Sequence, residues 1–106
     1  MEIRHYLTGS GVDVFQSWLD GLKDARARVA ILRRIDRIAK GNFGDHKFLR
    51  DGVSELRVDL GAGYRVHYGK HEATLVLLLS GGSKRTQAAD IARAVEFWAD
   101  YRRRRV

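Results

Sequence analysis

Apolar and polar residues alternate along two segments that meet at a Gly61-Ala62-Gly63 corner. Successive side chains of a β-strand point to opposite faces, so a period of two sends one set of residues to each face of a hairpin. The apolar set is Leu56, Val58, Leu60, Tyr64, Val66 and Tyr68. The other set is Glu55, Arg57, Asp59, Arg65 and His67. The pattern predicts two antiparallel strands with a core face, on which the tyrosines pack, and a charged face.

Three further segments have strand patterns. Alternation opens the chain, where Ile3, His5 and Leu7 share one face, and residues 46–49 form a weaker strand before the hairpin. Residues 74–80 are almost continuously apolar. Such a run is typical of a central strand that is covered on both faces.

Three other segments have the three-and-four spacing of amphipathic helices. The first buries a stripe of Phe15, Trp18, Leu19 and Leu22. The second runs from Asp24, a residue type that caps helix N-termini, to Lys40, and Gly41 supplies a stop. Its inward residues are Ala27, Ile31, Ile35 and Ile38. The last helix starts near Thr86, turns Ala88, Ile91, Val95 and Trp98 inward, and frays into the arginines at positions 102–105.

The predicted element order is therefore β-α-α-β-β-β-β-α, an α+β fold with the helices against one face of a mostly antiparallel sheet. The chain has 106 residues and contains no proline. No repeat, linker or low-complexity tract divides it, so we expect one domain over residues 1–106.

The chain is strongly basic, with 20 Lys and Arg against 13 Asp and Glu, a net charge of +7 and a pI near 10.2. This balance favours a polyanion, nucleic acid above all, or an acidic protein as partner. The absence of cysteine excludes a disulfide framework, a thiolate metal site and a cysteine nucleophile, and it fits a reducing compartment. Neither a leader-like nor a membrane-spanning segment is evident, so we expect a cytoplasmic protein with no membrane partner.

Five segments, taken in order and spacing over almost the whole chain, resemble the HigB-like branch of the RelE/ParE toxin superfamily, also called addiction module killer or phage Gp49-like proteins. They are Trp18-Leu19-Asp20-Gly21-Leu22-Lys23-Asp24, Gly41-Asn42-Phe43-Gly44-Asp45, Gly52-Val53-Ser54-Glu55-Leu56-Arg57, Gly63-Tyr64-Arg65-Val66 and Leu77-Leu78-Leu79-Ser80-Gly81-Gly82-Ser83-Lys84. The resemblance implies a RelE-like fold and the toxin of a type II toxin–antitoxin pair. Its partner would be a small helix-turn-helix, HigA-like antitoxin, with operator DNA contacted only through that antitoxin.

The resemblance leaves two activities open. Ribonuclease members of the superfamily cut mRNA, commonly in the ribosomal A site, without a metal or other cofactor, and so block translation. ParE-like members instead bind DNA gyrase and cut nothing. Our hypothesis is the ribosome-dependent mRNA endoribonuclease, with the gyrase inhibitor as the alternative and a non-toxic relic as a third possibility.

Metal-free RNA cleavage needs a group that accepts the 2′-hydroxyl proton, cations for the phosphorane, and a donor for the leaving 5′ oxygen. Arg57 and Arg65 are candidates for a phosphate clamp, and cross-strand pairing with Glu55 or Asp59 is an equally weighted alternative. Glu55 is a candidate general base, with a structural salt bridge as the commoner role. His67 shares the charged face and is a candidate proton carrier, although a surface histidine is the commoner outcome.

Further basic residues are candidates for substrate binding. Lys47 follows the Gly44-Asp45 pair, where the resemblance places a conspicuous lysine, and Lys84 and Arg85 follow Gly81-Gly82. Glycines beside a lysine let an anion approach the backbone, and a flexible solvated turn is the alternative.

A basic stripe along the second helix is a candidate surface for ribosomal RNA, because repeated like charges on one helix repel each other unless an anion lies against them. It consists of Lys23, Arg26, Arg33, Arg37 and Lys40. An ordinary solvated face is the alternative. Phe97, Tyr101 and the arginine tail are candidates for the antitoxin interface.

Overall fold

Three helices pack on a five-stranded, mostly antiparallel sheet in the computed structural model, which describes residues 1–105. The elements are β1 (Glu2–His5), α1 (Val14–Asp20), α2 (Ala25–Ala39), β2 (His46–Arg50), β3 (Val53–Val58), β4 (Tyr64–His71), β5 (Leu75–Ser83), a 3-10 turn (Lys84–Thr86) and α3 (Gln87–Arg104). The strands lie in the order β1-β5-β4-β3-β2, and only the β1–β5 pair among them is parallel. The predicted α+β class and element order are confirmed.

The hairpin of β3 and β4 has the predicted register. Leu56 lies opposite Val66, and Arg57 lies opposite Arg65. Gly61 and Gly63 have φ angles of 55° and 74°, a left-handed conformation that glycine adopts without a steric penalty. The apolar face is therefore core, as predicted, and Tyr68 is buried within it.

Both faces of the sheet are covered, so the expectation that all helices lie against one face is wrong. Helices α1 and α2 share one core cluster with Leu56, Val66 and Leu78. Helix α3 lies over the other face, where it shares a second cluster with Leu77 and Leu79. The physical reason is β5, whose apolar side chains alternate between the two faces and need cover on each.

Both predicted ends of α2 are confirmed. The Asp24 side chain accepts hydrogen bonds from the backbone N–H groups of Arg26 and Ala27 at 3.0 and 3.2 Å, as an N-cap does. Beyond the last turn, Gly41 has a φ angle of 90° and ends the helix.

The predicted inward stripe of α3 is confirmed at Trp98 and Val95, which belong to or pack against the second cluster, but not at Ala88. Ala94 and Trp98 are its buried residues, and Ala88 is exposed. Phe97 stacks on Tyr6 with ring centroids 4.8 Å apart, and Tyr101 stacks on Trp98 at 5.5 Å. Both rings therefore belong to the second core, which weakens their assignment to an antitoxin interface.

The prediction that the helix frays into the arginine tail is wrong for residues 102–104, because α3 continues to Arg104. That guanidinium pairs with Asp100 at 2.7 Å and donates to the Leu7 carbonyl. None of the helices within residues 1–105 has the length and apolar character needed to cross a membrane.

The Gly81-Gly82 pair is not the solvated turn that was considered as an alternative. Both residues are buried inside β5. A Cβ atom at Gly81 would collide with the indole of Trp18, and one at Gly82 would collide with the carboxylate of Asp90. The glycines make room for side chains from α1 and α3, not for an anion.

Candidate active site

A row of polar side chains crosses four strands on the face covered by α3. Lys47 on β2 lies opposite Glu55 on β3, Glu55 lies opposite His67 on β4, and His67 lies opposite Ser80 on β5. Lys47 is exposed, whereas Glu55, His67 and Ser80 are only 2%, 0% and 0% exposed. The row therefore runs from solvent at the sheet edge into the interior beneath α3.

The Glu55 carboxylate is held by three side chains. Its Oε1 lies 3.4 Å from Nε of Arg57, and its Oε2 lies 3.7 Å from Nε of Arg65. Gln87, at the start of α3, donates a hydrogen bond to Oε2 at 3.2 Å. A buried carboxylate is costly unless it is paired and hydrogen-bonded, and this one is both. The cross-strand pairing considered for the arginines is thus present, with Glu55 and not with Asp59 as the partner.

His67 is fully buried, so the expectation of a surface histidine is wrong. Its Nε2 lies 3.7 Å from Oε2 of Glu55, and neither ring nitrogen has a hydrogen-bond partner among residues 1–105. Burial lowers the pKa of His67 below its ordinary 6.5, and the opposing charge of Glu55 offsets this only in part. The His67 ring is therefore enclosed beneath α3, with none of its surface open to solvent.

Beside the polar row, a cleft of about 230 Å³ opens at the hairpin corner. We call it the cationic cleft; it is lined by Asp45, Arg57, Val58, Asp59, Gly63, Tyr64, Arg65 and Lys84. The Lys84 backbone N–H donates to the Gly63 carbonyl at 2.7 Å, which holds the 3-10 turn against the corner. Because Arg57 and Arg65 lie opposite each other, three cations converge on one small space.

Two carboxylates, of Asp45 and Asp59, also line the cationic cleft, and both residues are exposed. The Asp45 Oδ1 atom lies 4.0 Å from Nε of Arg57. Sequence reasoning did not select either residue for the site, although Asp45 directly precedes the stretch that contains Lys47. Glu55, which was selected, lies beneath the arginines and contributes nothing to the cleft lining.

Arg34 is a third residue that the sequence analysis missed. Its guanidinium donates to the carbonyls of Arg57, Phe43 and Asp45 at 2.6, 3.2 and 3.0 Å, which clamps the 43–45 loop against β3. Burial lowers the pKa of Arg34, with a further contribution from neighbouring Arg37. The sequence does contain a sign that Arg34 faces the protein. It lies three residues after Ile31 and four before Ile38, and so on the flank of the apolar stripe of the helix and not on the basic stripe.

The remaining candidates lie outside the cationic cleft. Lys47 is exposed on the edge strand, and Arg85 is exposed beyond Lys84. The basic stripe lies on the opposite side of the sheet from the polar row, and all five of its residues are exposed. Three of them, Arg26, Arg33 and Arg37, lie on α2, whereas Lys23 precedes the N-cap Asp24 and Lys40 is the C-cap. The structure thus brings together Arg57, Arg65 and Lys84 but leaves the α2 stripe as a separate surface.

Comparison with known proteins places these features in a family. Residues 17–96 match the family described as Phage derived protein Gp49-like (DUF891). A protein of Haemophilus influenzae, described as an uncharacterized protein, is 51% identical over 80 residues, which cover 76% of this chain and 81% of the relative. The family match spans the cationic cleft, the polar row and the Arg34 clamp. The chain therefore belongs to the Gp49-like family, which is associated with toxin–antitoxin systems and related to addiction module killer proteins.

Proposed function

We propose that this protein is the toxin of a type II toxin–antitoxin pair and that it cleaves mRNA on the ribosome without a metal. The observation that carries the proposal is the convergence of Arg57, Arg65 and Lys84 on one small cleft that also holds two exposed carboxylates. Two arginines held by Glu55, with a lysine beside them, suit a phosphodiester, and the carboxylates suit proton transfer. Family membership supports the toxin assignment, and the chemistry of the cleft supports the nuclease assignment.

The arginines supply charge stabilisation. Guanidinium groups bind phosphate oxygens in a bidentate manner and remain charged at every physiological pH. Arg65 is pre-positioned by Glu55 and by a 3.2 Å hydrogen bond from its Nη1 to the Gly63 carbonyl. Cations held in place before the reaction stabilise the doubly charged phosphorane without reorganising, which is the largest contribution that such a site makes.

The carboxylates supply the general base. A base accepts the proton of the 2′-hydroxyl only if it is within hydrogen-bond reach, and Asp45 meets this condition better than Glu55 because its side chain is 60% exposed and lines the cleft. The 2′ oxygen attacks phosphorus and forms a 2′,3′-cyclic phosphate. The 5′ oxygen leaves as a hydroxyl and takes a proton from the Lys84 ammonium. In this scheme Glu55 orients the two arginines and His67 lies behind it.

As such a toxin, the protein would have an antitoxin and the ribosome as partners and would act in the cytoplasm. A HigA-like helix-turn-helix antitoxin would neutralise the toxin in the cytoplasm and would alone contact operator DNA. The exposed basic stripe of α2 suits ribosomal RNA, since a row of like charges is relieved by an adjacent polyanion. Lys47 and Arg85 would add phosphate contacts at the rim of the site.

The experiment is 5′-end mapping of cellular RNA minutes after induction without antitoxin, with Arg65→Ala and Lys84→Ala run beside the parent. New 5′-hydroxyl ends inside translated reading frames, lost in both variants, support the nuclease. Lys84→Ala is the variant less subject to misfolding, because Lys84 is exposed. Arg65 faces a buried carboxylate, so loss of activity in Arg65→Ala alone could reflect loss of the fold. Unchanged RNA ends together with DNA damage would instead favour a gyrase inhibitor, and unimpaired growth would indicate a non-toxic relic.

A second comparison identifies the base. Asp45→Asn should lower the rate of cleavage by about 100- to 10,000-fold, the usual contribution of a general base. Asp59→Asn, in the same cleft and of the same charge change, should retain most of the activity. Equal losses in both variants would contradict the assignment of Asp45, and a large loss confined to Glu55→Gln would return the role to Glu55.

A further inference from the structure

A second cleft, of about 240 Å³, lies on the sheet face opposite the polar row, where α2 does not cover the edge strand. We call it the aromatic cleft; it is lined by Phe43, His46, Phe48, Ser54, Tyr68 and Lys70. Residues 46 and 48 of β2 share this face with Leu56 and Ser54, to which they are paired. The alternation of β2 therefore sends Lys47 to one side of the sheet and these rings to the other.

The aromatic cleft has the composition of a nucleobase site. Phe48 leaves 63% of its surface exposed, more than any other large apolar side chain among residues 1–105. The Phe43 ring lies 5.4 Å from His46 and 5.9 Å from Tyr68, centroid to centroid. Lys70 places its Nζ atom 5.1 Å from the Phe43 centroid. Aromatic faces stack on any base, and a cation at their margin suits the attached phosphate.

The charge of the aromatic cleft suits an anionic ligand such as RNA better than an apolar protein partner. Among residues 1–105 no carboxylate lines it, and Lys70 provides a positive charge at its margin. Ser54, which is partly exposed and carries a hydroxyl group, is among the lining residues and suits the polar edge of a base. A purely apolar docking groove would not need these polar groups.

The aromatic cleft is also adjacent to the cationic cleft. Asp45 lines the cationic cleft, while the next residue, His46, lines the aromatic one, and consecutive Cα atoms are only about 3.8 Å apart. The Arg34 clamp holds Phe43 and Asp45 in the same loop through their carbonyls. An RNA strand held at Arg57 can therefore pass over the edge of β2 within a few nucleotides.

We propose that the aromatic cleft binds an unpaired base of the RNA whose phosphate occupies the cationic cleft, with Phe48 as the stacking platform. This inference rests on the proposed function, because it assumes that the ligand of the cationic cleft is RNA. It adds a base-binding subsite that lies apart from the reacting phosphate. Such a subsite would influence which sequences are cut without taking part in the chemistry.

The test compares binding of two 2′-O-methyl oligoribonucleotides, which the 2′-oxygen chemistry cannot cleave, by fluorescence anisotropy. One carries all its bases and the other is abasic throughout, so their phosphate charge is identical. The parent protein should bind the base-containing strand more tightly, and Phe48→Ala should reduce that preference by about 5- to 150-fold, the usual effect of removing a stacking ring. Phe48→Tyr should keep the preference. Leu7→Ala, which alters another exposed apolar residue far along the chain, should also keep it.

The outcomes separate this inference from the proposed function. If Phe48→Ala keeps the parent's preference, or if the parent shows no preference for bases, the aromatic cleft is not a base subsite, even where mRNA cleavage is confirmed. If the preference depends on Phe48 but no RNA is cleaved in the cell, the base site stands and the nuclease proposal fails. Loss of affinity for a purified antitoxin, with RNA binding unchanged, would make the aromatic cleft a protein interface and overturn the inference.

Discussion

Replacing Arg34 with alanine removes the clamp that joins α2, the 43–45 loop and β3. Three hydrogen bonds from a charged donor are lost, to the carbonyls of Arg57, Phe43 and Asp45. At about 1.5 kcal/mol each, independent bonds would total about 4–5 kcal/mol. Part of this is recovered, because the Asp45 carbonyl lies at the surface and regains water, and because a partly buried charge is removed. We expect the free energy of unfolding to fall by about 2–4 kcal/mol.

The assay is urea denaturation of the parent, Arg34→Ala and Arg33→Ala. Arg33 is the matched control for stability, since it lies one position earlier on the same helix, carries the same charge and is exposed. Its replacement should change the free energy of unfolding by no more than about 0.5 kcal/mol. Hydrogen exchange should localise the effect, because the Arg57 amide, which donates to the Asp45 carbonyl at 2.9 Å, loses protection when the loop detaches.

Equal losses in the two variants would refute the clamp. An Arg34→Ala protein with normal stability and normal protection at Arg57 would show that the three carbonyls find other donors at no cost. Arg34→Lys discriminates further, since it keeps the charge but not the fork geometry, and should recover only part of the lost stability.

Three other predictions concern the fold and its response to pH. Gly81→Ala should destabilise the protein by about 1–3 kcal/mol in urea denaturation, because the new methyl collides with Trp18, whereas Gly9→Ala, with nothing within 4 Å, should be nearly neutral; equal effects would contradict the packing argument. Since burial lowers the pKa of His67, the unfolded chain binds a proton below pH 6.5 that the folded chain does not, so the free energy of unfolding should fall as the pH falls through that window. His67→Gln should remove this contribution, at most about 1.4 kcal/mol per pH unit, and an unchanged slope would show that His67 does not titrate differently in the two states. Asp24→Ala should cost about 1 kcal/mol through loss of the α2 N-cap, and a thermal melt identical to the parent's would count against the cap.

The sequence predicts the hairpin well because its signals are local. A period of two defines the two faces of β3 and β4, and glycines at 61 and 63 define the corner. The caps of α2 are equally local, since Asp24 and Gly41 act on residues a few positions away. These features depend on short stretches of chain and need no knowledge of the tertiary structure.

The burial of the polar row is not local, and the sequence analysis misses it for that reason. Alternation separates the two faces of the sheet but does not say which face a helix will cover. From the sequence, Glu55 and His67 have the pattern of a solvated face. In the structure α3, which begins 32 residues after Glu55, covers that face, and its Gln87 donates a hydrogen bond to Glu55. For the same reason Arg34 cannot be told from the other charged residues of α2 in the sequence. Its guanidinium donates hydrogen bonds to carbonyls 9 to 23 residues away in the chain.

The parallel pairing of β1 with β5 has a consequence for synthesis of the chain. Glu2 and His5 pair with Leu75 and Leu78, so β1 has no strand partner until β5 has been made. Helix α3 is made later still, and its Gln87 is needed to complete the surroundings of Glu55. Contacts so distant in sequence slow folding. The surroundings of Glu55 are therefore complete only after α3 has been made and has packed on the sheet, so the site cannot form on a nascent chain that lacks α3.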